Sequence, residues 1–404
     1  GNFNGIVGLE LQSKEPLWGY ERGIQNSTLD APTSRRRLPR LISQIYDWDD
    51  DVNIAPADDC AAMSGLNEGT TALAEDRYGE PYCGSDRAIA YRTIDNGRRG
   101  VNAYGSFEYY FDGGMSWFAD VQLGRQEVRL LTGTNGNDVV SDHMGWEFHD
   151  PLSTDNYREK MFYNQASGHY EVWSRQFSPE EVGGLTNRMN KTTQKTAAVT
   201  TGFKGSFAQD WNWEAAYNHS EYRADVDMPR IRAAAANELF LGPLLGYDAD
   251  GYAIYDADHE RMFRPITPAQ FATIGAMSTF RPVAKNDNVN FTVDTPALFS
   301  MPAGDVGFAG VLEYGRQSYS INPDPLALTD DAYYGPRYGD GDGSRNRWGA
   351  AGELRVPLLS SLQASLAGRY DRYSYGNKNP GKFTYNAGLE WRPLERLLVR
   401  GSYG

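Results

Sequence analysis

The sequence has no surplus of positive charge: 39 Lys+Arg stand against 53 Asp+Glu in 404 residues, a formal net charge of −14. A chain built to bind nucleic acid needs basic surface to neutralise phosphates, so that class is set aside. No apolar run approaches the ~20 residues that a membrane-spanning helix requires, and mean hydropathy is −0.60. Membrane β-strands escape this test, because they are apolar only at alternate positions. Catalytic signatures are missing as well. There is no Gly-x-Ser-x-Gly elbow, no glycine-rich phosphate loop between strand and helix, and no lone cysteine set beside a histidine. Gly339, Gly341 and Gly343 alternate with Asp340 and Asp342, but no helix follows, so they are read as a loop tip. Carboxylates are too abundant for any pair to be singled out as a glycosidase acid and base. The chain is read as a non-enzyme without a cofactor.

Cysteine is almost absent. Cys60 and Cys83 are the only two and lie in a polar, turn-rich stretch. An even count there suggests one disulfide in an oxidising compartment, the alternative being two unpaired thiols. The five histidines include His143 and His149, with Glu147 between them, but their spacing is wrong for two zinc ligands on one helix.

Aromatic residues and glycine are plentiful: 9 Trp, 26 Tyr, 17 Phe and 43 Gly, with only 23% charged residues. Such a chain folds, and it favours strands and turns. Val101, Ala103, Gly105, Phe107, Tyr109 and Phe111 alternate with Asn102, Tyr104, Ser106, Glu108 and Tyr110; a turn at Asp112-Gly113-Gly114 follows, and alternation resumes through Trp117, Ala119, Val121 and Leu123. One greasy and one wet face joined by a tight turn is a β-hairpin. The same unit recurs near 197–218, 289–312, 348–369 and 383–403, and with a first strand near Ile6 to Leu11 the count is about eleven strands.

Turns within hairpins are short, whereas the connections between them, about 14–98, 132–190, 228–286 and 322–344, are long. A compact soluble sandwich rarely carries several long loops at one end. A transmembrane β-barrel has short turns on one side and long loops on the other as its ordinary plan. Tyr109, Phe111, Trp117, Phe207, Trp211, Trp213 and Trp391 cluster near the short turns, where an aromatic girdle meets lipid headgroups. Glu108, Asp120, Lys204, Glu214, Asp294, Glu353, Arg355, Arg369, Glu390 and Arg400 share the other face, suited to a polar lumen. The fold expected is an all-β, partial antiparallel transmembrane barrel. Its rivals are a passive porin and a secreted carbohydrate-binding β-sandwich.

GLELQSKEPLWGYERG near the start, GVNAYGSFEYYFDGGMSWFADVQLG at 100–124 and LEWRPLERLLVRGSYG at the end resemble the barrel of TonB-dependent outer-membrane receptors. The resemblance covers the hairpins well and the long loops hardly at all. It implies a 22-stranded barrel of a Gram-negative outer membrane, plugged by an amino-terminal domain and importing a scarce ligand, an iron-siderophore complex or a carbohydrate, with energy delivered by TonB. On that reading residues 1–404 are an incomplete barrel, with the plug and the closing strands lying outside this sequence. The partners implied are TonB, outer-membrane lipid and lipopolysaccharide, and a small extracellular ligand, with no nucleic acid.

Within the loops, Tyr46, Trp48, Trp146, Tyr247, Tyr252, Tyr255, Tyr333, Tyr334 and Tyr338 are the candidate ligand contacts, since rings stack on sugars or aromatic chelators while hydroxyls hydrogen-bond. Arg35, Arg36 and Arg37 suit an anionic ligand or a lipopolysaccharide phosphate. Asp47, Asp49, Asp50 and Asp51, followed by Asp58 and Asp59, form an acidic cluster, and Asp248, Asp250, Asp256 and Asp258 form a second. Neither has the ordered spacing of a calcium loop, so both are read as solvated loops, with calcium the lesser reading.

Overall fold

The computed structural model describes residues 1–33, 37–132, 144–150, 159–208, 210–329, 333 and 339–404. Eleven long strands run in one antiparallel sheet: β1 (Phe3–Lys14), β2 (Gly97–Tyr110), β3 (Ser116–Leu130), β4 (Asn190–Phe207), β5 (Trp211–Ile231), β6 (Val283–Met301), β7 (Gly304–Ser320), β8 (Asp342–Leu359), β9 (Leu362–Ser374), β10 (Gly381–Leu394) and β11 (Leu397–Tyr403). Each pairs with its sequence neighbours, so the order follows the chain. A short strand, Gly275–Phe280, adds to the far end of β5. The expected eleven strands are present, as part of an all-β barrel wall.

The alternation read from the sequence is what sets the two faces, because cross-strand partners always share a face. Phe203, Ala215, Phe291, Leu312, Ala350, Tyr370 and Phe383 form one continuous row across seven strands. In β1, Val7, Leu9 and Leu11 fall on this greasy face, opposite Gly105, Ala103 and Val101. These side chains stay open to the surroundings: Leu312 is 59% and Phe383 60% exposed. Among the described residues no second sheet covers them. A tight turn such as Phe111 to Met115 is closed by the Phe111 N–H donating to the Met115 carbonyl at 2.9 Å. Gly114 supplies the left-handed backbone there, at φ +78°. Gly343, read from sequence as part of a loop tip, instead lies in β8 opposite Tyr319.

The long connections are not loose. The described residues within 15–96, 131–189 and 232–282 fold together into a cap with its own sheet and core. That sheet runs Gly246–Tyr247, Ala253–Tyr255, Phe162–Asn164, His169–Gln176, Arg40–Asp47, Pro81–Ser85 and Thr71–Glu75, with Gly145–Glu147 and Val52–Ile54 attached alongside. All three connections contribute strands. Ile42, Ile45, Met63, Trp146, Phe162, Trp173, Phe240 and Phe263 are fully buried in one cluster, and each such side chain contributes about 1.5–3 kcal/mol by leaving water. Helix Pro268–Ile274 begins where its sequence says it should: Thr267 accepts from the Gln270 N–H at 3.2 Å, Gln270 returns the bond to the Thr267 N–H at 2.9 Å, and proline opens the first turn.

Candidate functional site

The wet face of the eleven-stranded sheet carries a laddered polar surface. Thr200 donates to Asn218 at 2.8 Å, and Asn218 donates to Asn290 at 3.0 Å, one bond per strand. Further along, Arg347 donates to Glu313 at 2.6 Å, and Arg369 contacts both Glu313 and Asp371, the latter at 2.6 Å through Nε. The network pairs these four charges with one another. Toward the long-loop end the same face forms a cavity of about 1010 Å³. Gln122, Ala198, Ser220, Asn286, Gln317 and Arg345, one residue from each of six consecutive strands, stand in a single row across it, and Tyr373 of the seventh strand joins them from two positions off that row, opposite Arg347. A cavity walled by seven neighbouring strands requires that the sheet curve around this face.

A family model described as TonB-dependent receptor-like, β-barrel, matches residues 66–404. The chain belongs to the TonB-dependent receptor β-barrel family. Among solved structures, the ferric enterobactin receptor of Pseudomonas aeruginosa is 10% identical, with 100% of this chain and 38% of that chain covered and a TM-score of 0.42. The ferric preacinetobactin receptor of Acinetobacter baumannii is 10% identical over 89% of this chain and 46% of that one, TM-score 0.38. The ferric-catecholate import receptor of Escherichia coli K12 in its closed form is 12% identical over 91% and 50%, TM-score 0.38. The chain thus spans half or less of the length of these receptors. A comparison with curated proteins gives no match.

In a receptor barrel the curved polar face lines the lumen and the greasy face meets lipid, and here the cap is built from the connections at the long-loop end of the strands. The aromatic candidates named from the sequence separate into three groups there. Trp48 is 46% exposed, its ring edge-on to Tyr46 at 5.9 Å. The Tyr46 hydroxyl donates to Asp51, and that bond together with burial pushes its pKa up to about 12. Tyr252 packs on Tyr170 at 4.9 Å, and Tyr247 is exposed, its hydroxyl 3.3 Å from Asp150. These four are surface or near-surface rings. Trp146 and Tyr255 belong to the second group, inside the cap core. Trp146 is fully buried, stacks on Phe240 at 4.9 Å and donates its indole N–H to Asn237 at 2.9 Å; Tyr255 meets Phe148 and Phe162 edge-on. A tryptophan in a polar stretch reads the same from sequence whether it faces a ligand or a core. Tyr333 stands apart in the fourth connection, where burial and its bond to Asp324 at 2.8 Å push its pKa up to about 12. Tyr334, Tyr338, Arg35, Arg36 and His143 lie outside the described residues, while Arg37 is exposed and donates to the Ala31 carbonyl at 2.8 Å.

The acidic clusters have local employment. Asp47 accepts from the amides of Asp49 and Asp50 at 3.0 and 3.1 Å, and Asp248 from those of Asp250 and Tyr252 at 2.9 Å each. Both are side-chain turns, which is why aspartate recurs in these stretches. Asp47, Asp50 and His169 do gather close enough for one cation. The His169 Nδ1 already lies 2.6 Å from Asp47 Oδ2 at that point, and the bond to Asp47 raises the His169 pKa. The Cys60 and Cys83 thiols are joined as a disulfide, tying the helix Ala57–Ala62 to the strand Pro81–Ser85 with Cα atoms 5.3 Å apart.

Sequence reasoning missed the polar staples that hold the three connections together. Arg175 and Glu181, both fully buried, pair at 2.5 Å. Arg175 also donates to the carbonyls of Met262 and, at 2.9 Å, Arg264, so the second connection grips the third. Glu171 accepts from Trp173 Nε1 at 2.7 Å, Asn164 at 2.9 Å and Ser167 at 2.7 Å, with His259 Nε2 at 2.9 Å. Burial works to raise the Glu171 pKa, but the bonds from His259 and Ser167 outweigh it, leaving the carboxyl below its ordinary range. The bond to Glu171 in turn raises His259. Alternation in YEVWSRQF at 170–177, with Glu171, Trp173, Arg175 and Phe177 all on one side, was the one signal that a buried strand lay in this stretch.

Proposed function

We propose that the chain is part of the barrel of a Gram-negative outer-membrane receptor that binds a scarce small ligand at the cell surface and imports it with energy from TonB. The observation that carries this reading is the pairing of two features in one sheet: a continuous exposed apolar face, and a curved polar face, laddered by hydrogen bonds and ion pairs, that forms a cavity toward the long-loop end. The family match supports it. Lipid takes the apolar face, ligand enters past the cap, and the polar wall gives it hydrogen bonds on the way through. The surface rings of Trp48, Tyr46, Tyr252 and Tyr247 are the proposed first contacts, with lipopolysaccharide packed outside. An iron-siderophore complex and a carbohydrate are the two ligand classes these rings fit.

The test is uptake by cells carrying the full-length gene, with a radioiron catecholate complex and a labelled oligosaccharide as probes. Accumulation of one probe above its bound level, abolished in a strain without TonB, supports the proposal. Accumulation that continues unchanged without TonB makes the barrel a passive porin. Failure of both probes to bind removes these two ligand classes.

A further inference from the structure

The cap sheet has two faces. Ser43, Ile45, Trp173 and Arg175 point into the core, and the intervening Gln44, Tyr46, Val172 and Ser174 point the other way. On that outer face a groove of about 600 Å³ is closed on one side by the turn Asp76–Gly79 and on another by the strand Gly145–Glu147. This volume is within the usual range for a small-molecule site, roughly 300–1,000 Å³. Its floor is apolar and aromatic, from Leu38, Leu41, Tyr46, Val172 and Tyr82. Its rim is acidic: Asp51, Asp76, Glu80 and Glu147 line it, against the single guanidinium of Arg77.

None of the four carboxylates forms an ion pair among the described residues. Asp51 accepts from the Tyr46 hydroxyl, Asp76 from the amides of Tyr78 and Glu80 at 2.7 and 3.0 Å, Glu80 from the Asn53 amide at 3.1 Å, and Glu147 from the Ser174 hydroxyl at 3.3 Å. Arg77 lies over the Tyr78 ring at 4.6 Å, so the one cation of the rim is stacked on an aromatic. Burial pushes the half-buried Glu147 carboxyl up, with Lys160 and Ser174 acting the other way. A cation entering the groove would satisfy this acidic rim, and an apolar stem would cover the floor.

We propose that this outer groove of the cap binds a small organic cation, an ammonium-bearing molecule with an apolar stem, held by Glu147 and Glu80 over the rings of Tyr46 and Tyr82. The charge complementarity sets the sign of the ligand, and the aromatic floor adds cation–π attraction to its head and burial to its stem. The site shares the Tyr46 ring with the first contacts proposed for import, but it uses neither the polar barrel wall nor the cavity upon it.

The test is calorimetric titration of the chain in non-ionic detergent with hexamethylenediamine, and with hexanediol as the neutral molecule of the same stem. The expected result is saturable binding of the diamine, none of the diol, and affinity lowered at least about tenfold in Glu147→Gln and again in Glu80→Gln. Both substitutions keep an acceptor oxygen for the Ser174 hydroxyl and the Asn53 amide, and unchanged tryptophan emission verifies that the cap is folded. Should Glu147→Gln fail to fold, Glu80→Gln and the loss of diamine affinity on adding salt carry the test. Equal binding of diol and diamine, diamine binding that survives in the folded variants, or no saturable diamine binding would overturn the proposal.

Discussion

Arg175 decides whether the cap is one body. Its guanidinium is fully buried, neutralised by Glu181 and spent on two carbonyls of a different connection. Arg175→Ala leaves Glu181 as an unpaired buried charge, an arrangement that costs about 3–5 kcal/mol. The expected outcome is early unfolding of the cap, with faster amide exchange at 262–266, while the long strands keep their protection. Histidine sets a pH dependence at the same scale. Asp47 and Glu171 sit opposite each other on adjacent strands, buried, and each is bonded to a histidine, His169 and His259 respectively. The bond to Asp47 raises His169, as that to Glu171 raises His259. Burial tends to raise the Asp47 pKa, but His169 and the turn amides bring it below its ordinary range. A raised histidine stabilises the fold fully below its unfolded pKa of about 6.5 and loses that contribution as pH climbs through the folded value. The lowered carboxylates contribute fully above their unfolded pKa of about 4 and lose it as pH falls through the folded value. Cap stability, read by tryptophan fluorescence during thermal unfolding, should therefore crest between these limits. In His259→Gln the decline on the alkaline side should be shallower.

At the scale of elements, the hairpins were legible because period-two alternation and Gly-rich turns are local signals. The cap was not. Its strands are two to eight residues long, too short for alternation to stand out, and they pair across distant parts of the chain. The parallel contact of Tyr163 and Asn164 with Ile254 and Tyr255 is an example. Pairings of that kind depend on which loops meet, which no window of sequence contains. The same limit explains the site: Tyr46, Trp48 and Tyr252 were placed at a surface, Trp146 and Tyr255 went into the core, and Glu147 and Glu80 drew no notice because single carboxylates are common. The disulfide is the one long-range tie that composition announced. Cys60→Ser with Cys83→Ser should lower cap stability by about 3 kcal/mol, read by denaturant unfolding, without moving the barrel transition. A barrel element has its own weak point at Gly202, where an added Cβ would lie 2.3 Å from the Ala215 carbonyl oxygen and 2.9 Å from the Phe118 ring. Gly202→Val should disturb the β4–β5 register, seen as loss of the heat-resistant folded band on electrophoresis.

For the whole molecule, the two faces of one sheet suit different solvents, one being apolar and exposed and the other polar. β1 and β11 each pair on one side only, so the described sheet is open at both edges. An apolar row across seven strands, with Phe203, Phe291, Leu312, Tyr370 and Phe383 exposed, would be an aggregation surface in water. In lipid it is at its lowest free energy, and Leu312→Arg there should cost about 2–4 kcal/mol if the site lies near the bilayer midplane. The most direct measurement is a spin-label scan along β6 from Val289 to Asp294 in lipid bilayers, comparing collision with oxygen, which concentrates in hydrocarbon, and with a water-soluble nickel chelate. The account predicts alternation with period two, oxygen contact at Val289, Phe291 and Val293 and nickel contact at Asn290, Thr292 and Asp294. Equal nickel contact at all six positions would contradict it and return the greasy face to water or to a protein cover.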